Sequence, residues 1–146
     1  MMDRLFNSTL ENELRILLLL YENRDVQSID RICAIDFITL YSRVFEIGDY
    51  NLNGENPFMF SEFAVKRELI WEGIKDLVLR GLILPLKEDS GIKYTIEYDG
   101  EKLCRDLDSP YASKYRTIVH RVILATKELD ERELIAWIEE KSSQVY

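Results

Sequence analysis

Residues 82–97, Leu-Ile-Leu-Pro-Leu-Lys-Glu-Asp-Ser-Gly-Ile-Lys-Tyr-Thr-Ile-Glu, hold two short apolar-rich runs around a turn. Leu82 to Lys87 and Ile92 to Glu97 flank Glu88, Asp89, Ser90 and Gly91, and this pattern predicts a β-hairpin. Pro85 has no N–H to give to a ladder, so the first run is an edge strand. What precedes and follows the hairpin decides the fold.

Upstream, Ser8 and Glu11 have capping-box spacing, and Leu10, Leu14, Leu17, Leu18 and Tyr21 repeat as a helical stripe over residues 9–23. Ile16, Leu19 and Leu20 lie off that stripe, so the helix is either central in the core or covered by another chain. Ser28 or Asp30 caps a second helix to about Ser42, with Ile29, Ile32, Cys33, Phe37 and Leu40 on one face, Asp36 inside that face, and Ala34, Ile35 and Ile38 on the other side. Gly48, Asp49, Asn51, Asn53, Gly54, Asn56 and Pro57 make residues 44–60 a loop. Ser61 then caps a third helix, striped by Phe63, Ile70, Ile74, Leu77 and Val78 and ended by Gly81.

Three helices before a hairpin predict a mainly α fold, a winged helix-turn-helix with a small β-hairpin wing and additional C-terminal helices. Tyr98 to Asp108 forms a short helix behind the wing; Ser109 with Pro110 starts another to about Lys127, and Asp130 with Glu133 caps a last one to about Lys141. The expected organisation is a winged-helix domain over 1–108, with the loop insertion 44–60, and a helical extension over 109–146 packed on it.

The 146 residues are 47% apolar and 32% charged with six Gly and three Pro, which is the composition of one folded domain. Nineteen basic against twenty-seven acidic side chains leave a net charge of −8, which argues against a surface given over wholly to nucleic acid. The longest wholly apolar run, Ile16 to Tyr21, is far too short to span a bilayer and no basic leader precedes it, so the expected location is cytoplasmic with no membrane contact. Cys33 and Cys104 lie far apart and in no CxxC pair, which fits reduced, buried thiols.

No catalytic constellation emerges. His120 is the sole histidine and lies in a basic stretch, zinc would have to draw on the scattered Cys33, Cys104 and His120, and no phosphate-binding glycine loop is present. The expectation is a protein that is not an enzyme, with no cofactor, metal or small-molecule substrate. Asp49, Asn51, Asn53, Gly54 and Glu55 match the start of an EF-hand loop, yet position twelve is Phe60 where a bidentate glutamate is needed. Local Asn and Asp turns explain the same letters.

Charge separates two further readings. In the third helix Lys66, Arg67, Lys75 and Arg80 are matched by Glu62, Glu68, Glu72 and Asp76, and the wing tip carries Glu88 and Asp89, which disfavours docking on phosphates. From Ser109 to Lys127 there is no acid, while Lys114, Arg116, Arg121 and Lys127 form a basic helix beside Tyr111, Tyr115 and His120. It is a solvated face, a contact for DNA, or a contact for an acidic partner. Leu19, Leu20, Ile35, Ile38, Trp71, Trp137 and Ile138 lie off the main stripes or on the terminal helix, a surplus that points to partner binding unless the helices cover one another.

Several short motifs recur in fixed order: Leu5-Phe-Asn-Ser-Thr-Leu-Glu11 with Leu14 to Leu20, Ala34-Ile-Asp-Phe37, Val65-Lys-Arg-Glu-Leu69, Arg80-Gly-Leu-Ile83 and Ser109-Pro-Tyr-Ala112. Together they resemble the middle component of bacterial ABC-three-component systems, of which the Lamassu type of antiphage defence is the best known. The resemblance runs from about Leu5 to Arg116. It implies a non-catalytic winged-helix adaptor encoded beside an SMC-like ABC ATPase and an effector, with DNA reached mainly through the complex, and it carries over no residue-level site. Asp36 and Arg67 are polar positions inside these motifs and are expected to pair across the second and third helices. The alternative is a DNA-binding winged-helix transcription regulator that dimerises through its C-terminal helices and touches phosphates with Lys114, Arg116 and Arg121.

Overall fold

The computed structural model describes residues 9–145; Ser8, the expected partner of Glu11 in a capping box, lies outside the described residues. Helix α1 spans Thr9–Glu22, strand β1 Gln27–Ser28, α2 Ile29–Leu40, α3 Met59–Leu79, β2 Ile83–Glu88, β3 Gly91–Ile96, α4 Tyr98–Asp106, α5 Pro110–Ala125 and α6 Glu131–Val145. The molecule is mainly helical, and α1 to β3 run in the order expected of a winged helix with the β2–β3 hairpin as its wing. The connection between α2 and α3 is the long segment 41–58, where a helix-turn-helix commonly has three or four residues.

Local chemistry accounts for most boundaries. Ser28 Oγ accepts from the Arg31 N–H and Ser109 Oγ from the Ala112 N–H, each capping its helix. At α6 the capping box is reciprocal: the Asp130 side chain accepts from Glu133 N at 2.8 Å and the Glu133 side chain from Asp130 N at 3.0 Å. Ser61 caps nothing. Helix α3 starts two residues earlier at Met59, and Asn56 takes over, its carbonyl oxygen accepting from Met59 N and its side chain from Phe58 N. Gly81 ends α3 with a positive φ of 74°.

The sheet has the order β1-β3-β2, all antiparallel, and the two-residue β1 carried no sequence signal. The register pairs Ile83 with Ile96 through Glu88 with Gly91. Glu97 N donates to Leu82 O, so alternation along the ladder turns the Pro85 nitrogen outward, where no donor is required. Gly100 opens α4 against the strand: a Cβ there would lie 2.3 Å from the Leu82 carbonyl oxygen.

The core corrects one expectation. Leu19, Leu20, Ile35 and Ile38, expected to face partners, have no exposed surface at all. Helix α1 is enclosed by α2, α3, α4 and α5, and α2 by α3, α5 and α6, so side chains in excess of a three-helix core are covered from within. Helices α5 and α6 contribute Tyr115, Ile118, Val119, Val122, Leu134 and Ile138 to that same core. Trp137, also expected at a partner surface, is half-buried with its ring edge-on to Phe45 at 5.2 Å, and Phe45 in turn packs on Phe37.

Candidate functional site

The centre of the fold is polar. Arg15 of α1, Asp36 of α2, Lys66 of α3 and Tyr115 of α5 meet in an almost sealed cluster. Arg15 Nε lies 3.0 Å from Asp36 Oδ1, the Tyr115 hydroxyl donates to the same oxygen at 2.7 Å, and Lys66 Nζ is 3.6 Å from Asp36 Oδ2. Arg15 also donates to Asn12. Burial pushes the Asp36 carboxyl up, but Arg15 first, then Lys66 and the Tyr115 hydroxyl, outweigh it and hold the group below the ordinary carboxylate range. Burial lowers the Lys66 ammonium despite Asp36. The expected pairing of Asp36 with Arg67 is therefore wrong: Arg67 bonds Asp30 on the surface at 2.8 Å, because Lys66, one position earlier on α3, is the residue turned inward. This cluster joins four helices and is sealed from ligands.

The other reactive candidates are placed with equal clarity. Cys33 and Cys104 are buried and their thiols are pushed up to about 12 by burial, so at neutral pH they carry no thiolate. Asn51 Oδ1 accepts from the Arg43 N–H and Asn53 Oδ1 from the Tyr111 hydroxyl, so two oxygens of the would-be calcium loop are engaged in holding that loop together. Among the described residues no group of three or more His, Cys, Asp or Glu side chains could hold a metal ion, and no helix is long and apolar enough to cross a membrane.

Of the basic residues on α5, Arg116 is committed. Its guanidinium meets Glu22 at 3.1 Å and stacks over the Tyr21 ring at 5.1 Å, with His120 on the other Glu22 oxygen at 3.8 Å. Lys114, Arg121 and Lys127 are exposed and make no ion pair among the described residues. Lys114 and Arg121 lie two turns apart on α5, and Lys127 follows the helix end.

Helix α3, which would read a DNA groove in many winged helices, offers no such charge. Each of its cations is held: Lys66 by Asp36, Arg67 by Asp30, Lys75 by Glu72, and Arg80 at the helix end by Asp76. Exposed on the same helix, among the charged Glu68 and Glu72, are the apolar side chains Val65, Leu69 and Leu79, the last 85% exposed. Beside them α3 and the wing form a groove of about 350 Å³ floored by Trp71, Ile74, Val78, Pro85, Ile92 and Tyr94, with Lys75 as its one charged lining residue. Strand alternation explains the wing's share: the sheet face that turns into the core at Ile83, Tyr94 and Ile96 runs out toward the tip as Pro85 and Ile92, which line the groove beside α3 and stay exposed. Ile92 is 55% exposed. Trp71, singled out from sequence, belongs to this groove; the wing residues were missed because a hairpin pattern does not tell which face stays uncovered.

The comparison with protein families decides the class, since the model of the ABC-three component (ABC-3C) system Middle Component 2 matches residues 5–146. The chain belongs to that family. Neither a curated protein nor a solved structure matches it. As a middle component it has the other components of an ABC-3C system as its partners, and the match covers the C-terminal stretch beyond Arg116 where the sequence motifs fall silent.

Proposed function

We propose that this middle component is a non-catalytic adaptor of an antiphage defence complex, of the Lamassu type or close to it. It bridges an SMC-like ABC ATPase and an effector, a nuclease in this reading, and holds the effector inactive until phage DNA engages the ATPase. The observation that carries the proposal is the α3–wing face, apolar and with every α3 cation already paired, where a nucleic-acid reader needs open positive charge. The sealed thiols and sealed charge cluster support the assignment of chemistry to other components. The site of action is the cytoplasm, and DNA is met mainly through the complex.

The test is co-purification from cells that express the chain with the other components of its own system. Retention of the ATPase and the effector on the tagged chain supports the bridge, and retention of neither refutes it. A second reading, the DNA-binding regulator, rests on the exposed cations Lys114, Arg121 and Lys127, which make no ion pair among the described residues. On that reading the isolated chain binds duplex DNA with log K falling against log salt by about 3, the slope for three neutralised phosphates. The adaptor binds duplex DNA weakly until the ATPase is present.

A further inference from the structure

Two atoms of the central polar cluster make no hydrogen bond among the described residues: Asn12 Nδ2 on α1 and Asp36 Oδ2 on α2. Asn12 is 2% exposed and Asp36 1%. Folded proteins pair nearly all of their buried polar atoms, so two orphans in one cluster call for a partner that the side chains do not supply.

The geometry shows why they do not satisfy each other. Arg15 donates through Nη2 to Asn12 Oδ1 and through Nε to Asp36 Oδ1, so one edge of one guanidinium grips the amide and the carboxylate side by side. That grip fixes the Asn12 amide: its oxygen faces the arginine and its NH2 group points elsewhere. The Tyr115 hydroxyl donates at 2.7 Å to the same Asp36 oxygen that Arg15 holds. The second Asp36 oxygen is left facing Lys66 Nζ of α3 at 3.6 Å, beyond hydrogen-bond reach. The unmet groups are thus two kinds of donor, the Asn12 amide and the Lys66 ammonium, and one acceptor, Asp36 Oδ2.

This set selects among small occupants. A metal cation would meet N–H donors and an ammonium, and a halide would meet the carboxylate; each is repelled by part of the site. Water both accepts and donates. It can take a hydrogen from Asn12 Nδ2 and one from Lys66 Nζ on its two lone pairs and give one of its own to Asp36 Oδ2, about three hydrogen bonds being the usual number for a buried water.

We propose that one internal water sits between Asn12 Nδ2, Asp36 Oδ2 and Lys66 Nζ and ties α1, α2 and α3 together through a single molecule. The cluster is closed to larger solutes, and this water belongs to the fold. Through it the Lys66 ammonium reaches the carboxylate that it does not bond directly.

Two measurements on the full chain test the proposal. A high-resolution crystal structure should show one water within about 3.2 Å of all three atoms. In solution, oxygen-17 relaxation dispersion of the solvent, which is blind to proton exchange, should count one slowly exchanging water more in the wild type than in Asn12→Leu, where a methyl group replaces the amide nitrogen. Lys66→Met keeps Asn12 and Asp36 and should shorten the residence of that water, a readout that survives if Asn12→Leu does not fold. Direct hydrogen bonds from Asn12 or Lys66 to Asp36 Oδ2 with no density between them overturn the proposal, as does an ion at the position. An undiminished count in folded Asn12→Leu, or an unchanged residence in Lys66→Met, overturns it as well.

Discussion

Replacing Asp36 should be among the most damaging single substitutions this protein can suffer, and replacing Lys66 among the mildest for a buried charge. Asp36 is a hub. It accepts from Arg15 and the Tyr115 hydroxyl through one oxygen and faces Lys66 with the other, at a longer 3.6 Å where no hydrogen bond forms. Asp36→Asn preserves shape but leaves two buried cations beside an amide whose N–H groups add further donors. Breaking a buried pair in this way costs about 3–5 kcal/mol, a large part of the 5–15 kcal/mol that stabilises a typical domain. Lys66→Met removes one cation, keeps the Arg15–Asp36 pair with its bonds and retains most of the apolar stem, so the expected cost is below about 1 kcal/mol.

Urea unfolding of both variants, followed by circular dichroism, measures the difference. The acid limb gives an independent check. The Asp36 carboxyl has a lowered pKa in the folded state, so its contribution is present above the unfolded value near 3.8 and is lost as pH falls through the folded value. Asp36→Asn should therefore flatten the loss of stability below about pH 4. If Lys66→Met costs as much as Asp36→Asn, Asp36 is not the hub and the reasoning is wrong.

Three further outcomes are expected. Burial first, then a hydrogen bond and repulsion from Asp76, push the Glu13 carboxyl up to about 7; that stability is present below about 4.5 and is lost as pH rises through 7. Glu13→Gln should thus be more stable than wild type at pH 8 by thermal melting and should show a smaller fall between pH 5 and 8. Gly100→Ala drives a Cβ to 2.3 Å from the Leu82 carbonyl oxygen and 2.8 Å from Ile96 Cγ1, and should destabilise by about 1–3 kcal/mol in the same urea assay. Calcium at millimolar concentration should leave the melting temperature unchanged, because the Asn51 and Asn53 oxygens are already engaged, one by the Arg43 N–H within the 41–58 loop and the other by the Tyr111 hydroxyl of α5.

The wing, Pro85 at its edge, the Ser109 cap and the Asp130–Glu133 box were legible in the letters because each is a short-range device whose partners lie within a few residues, whereas the letters left Ser28 and Asp30 both open as the cap of α2 and the structure has Ser28 there. Strand β1 was not: Gln27 and Ser28 acquire strand geometry only by pairing with Tyr94 and Lys93. The role of Leu19, Leu20, Ile35 and Ile38 depends on what α5 and α6 cover, a long-range fact that helical periodicity does not contain. The same limit explains the misassigned partner of Asp36. Lys66 and Arg67 are neighbours in sequence, and the helix rotation of about 100° between them, fixed by packing, decides which one enters the core. Trp71 was recognised as an off-stripe aromatic, whereas Ile92 and Pro85 became part of a surface only once the hairpin was placed beside α3.

The central claim is that this chain acts by holding other proteins together. Mixing the purified chain with the other components of its ABC-3C system at micromolar concentration, without DNA, and measuring particle mass tests it most directly. The account predicts one species that contains the chain together with both the ATPase and the effector. A chain that remains alone beside them, yet binds duplex DNA by itself with the salt dependence of a three-phosphate contact, would contradict it.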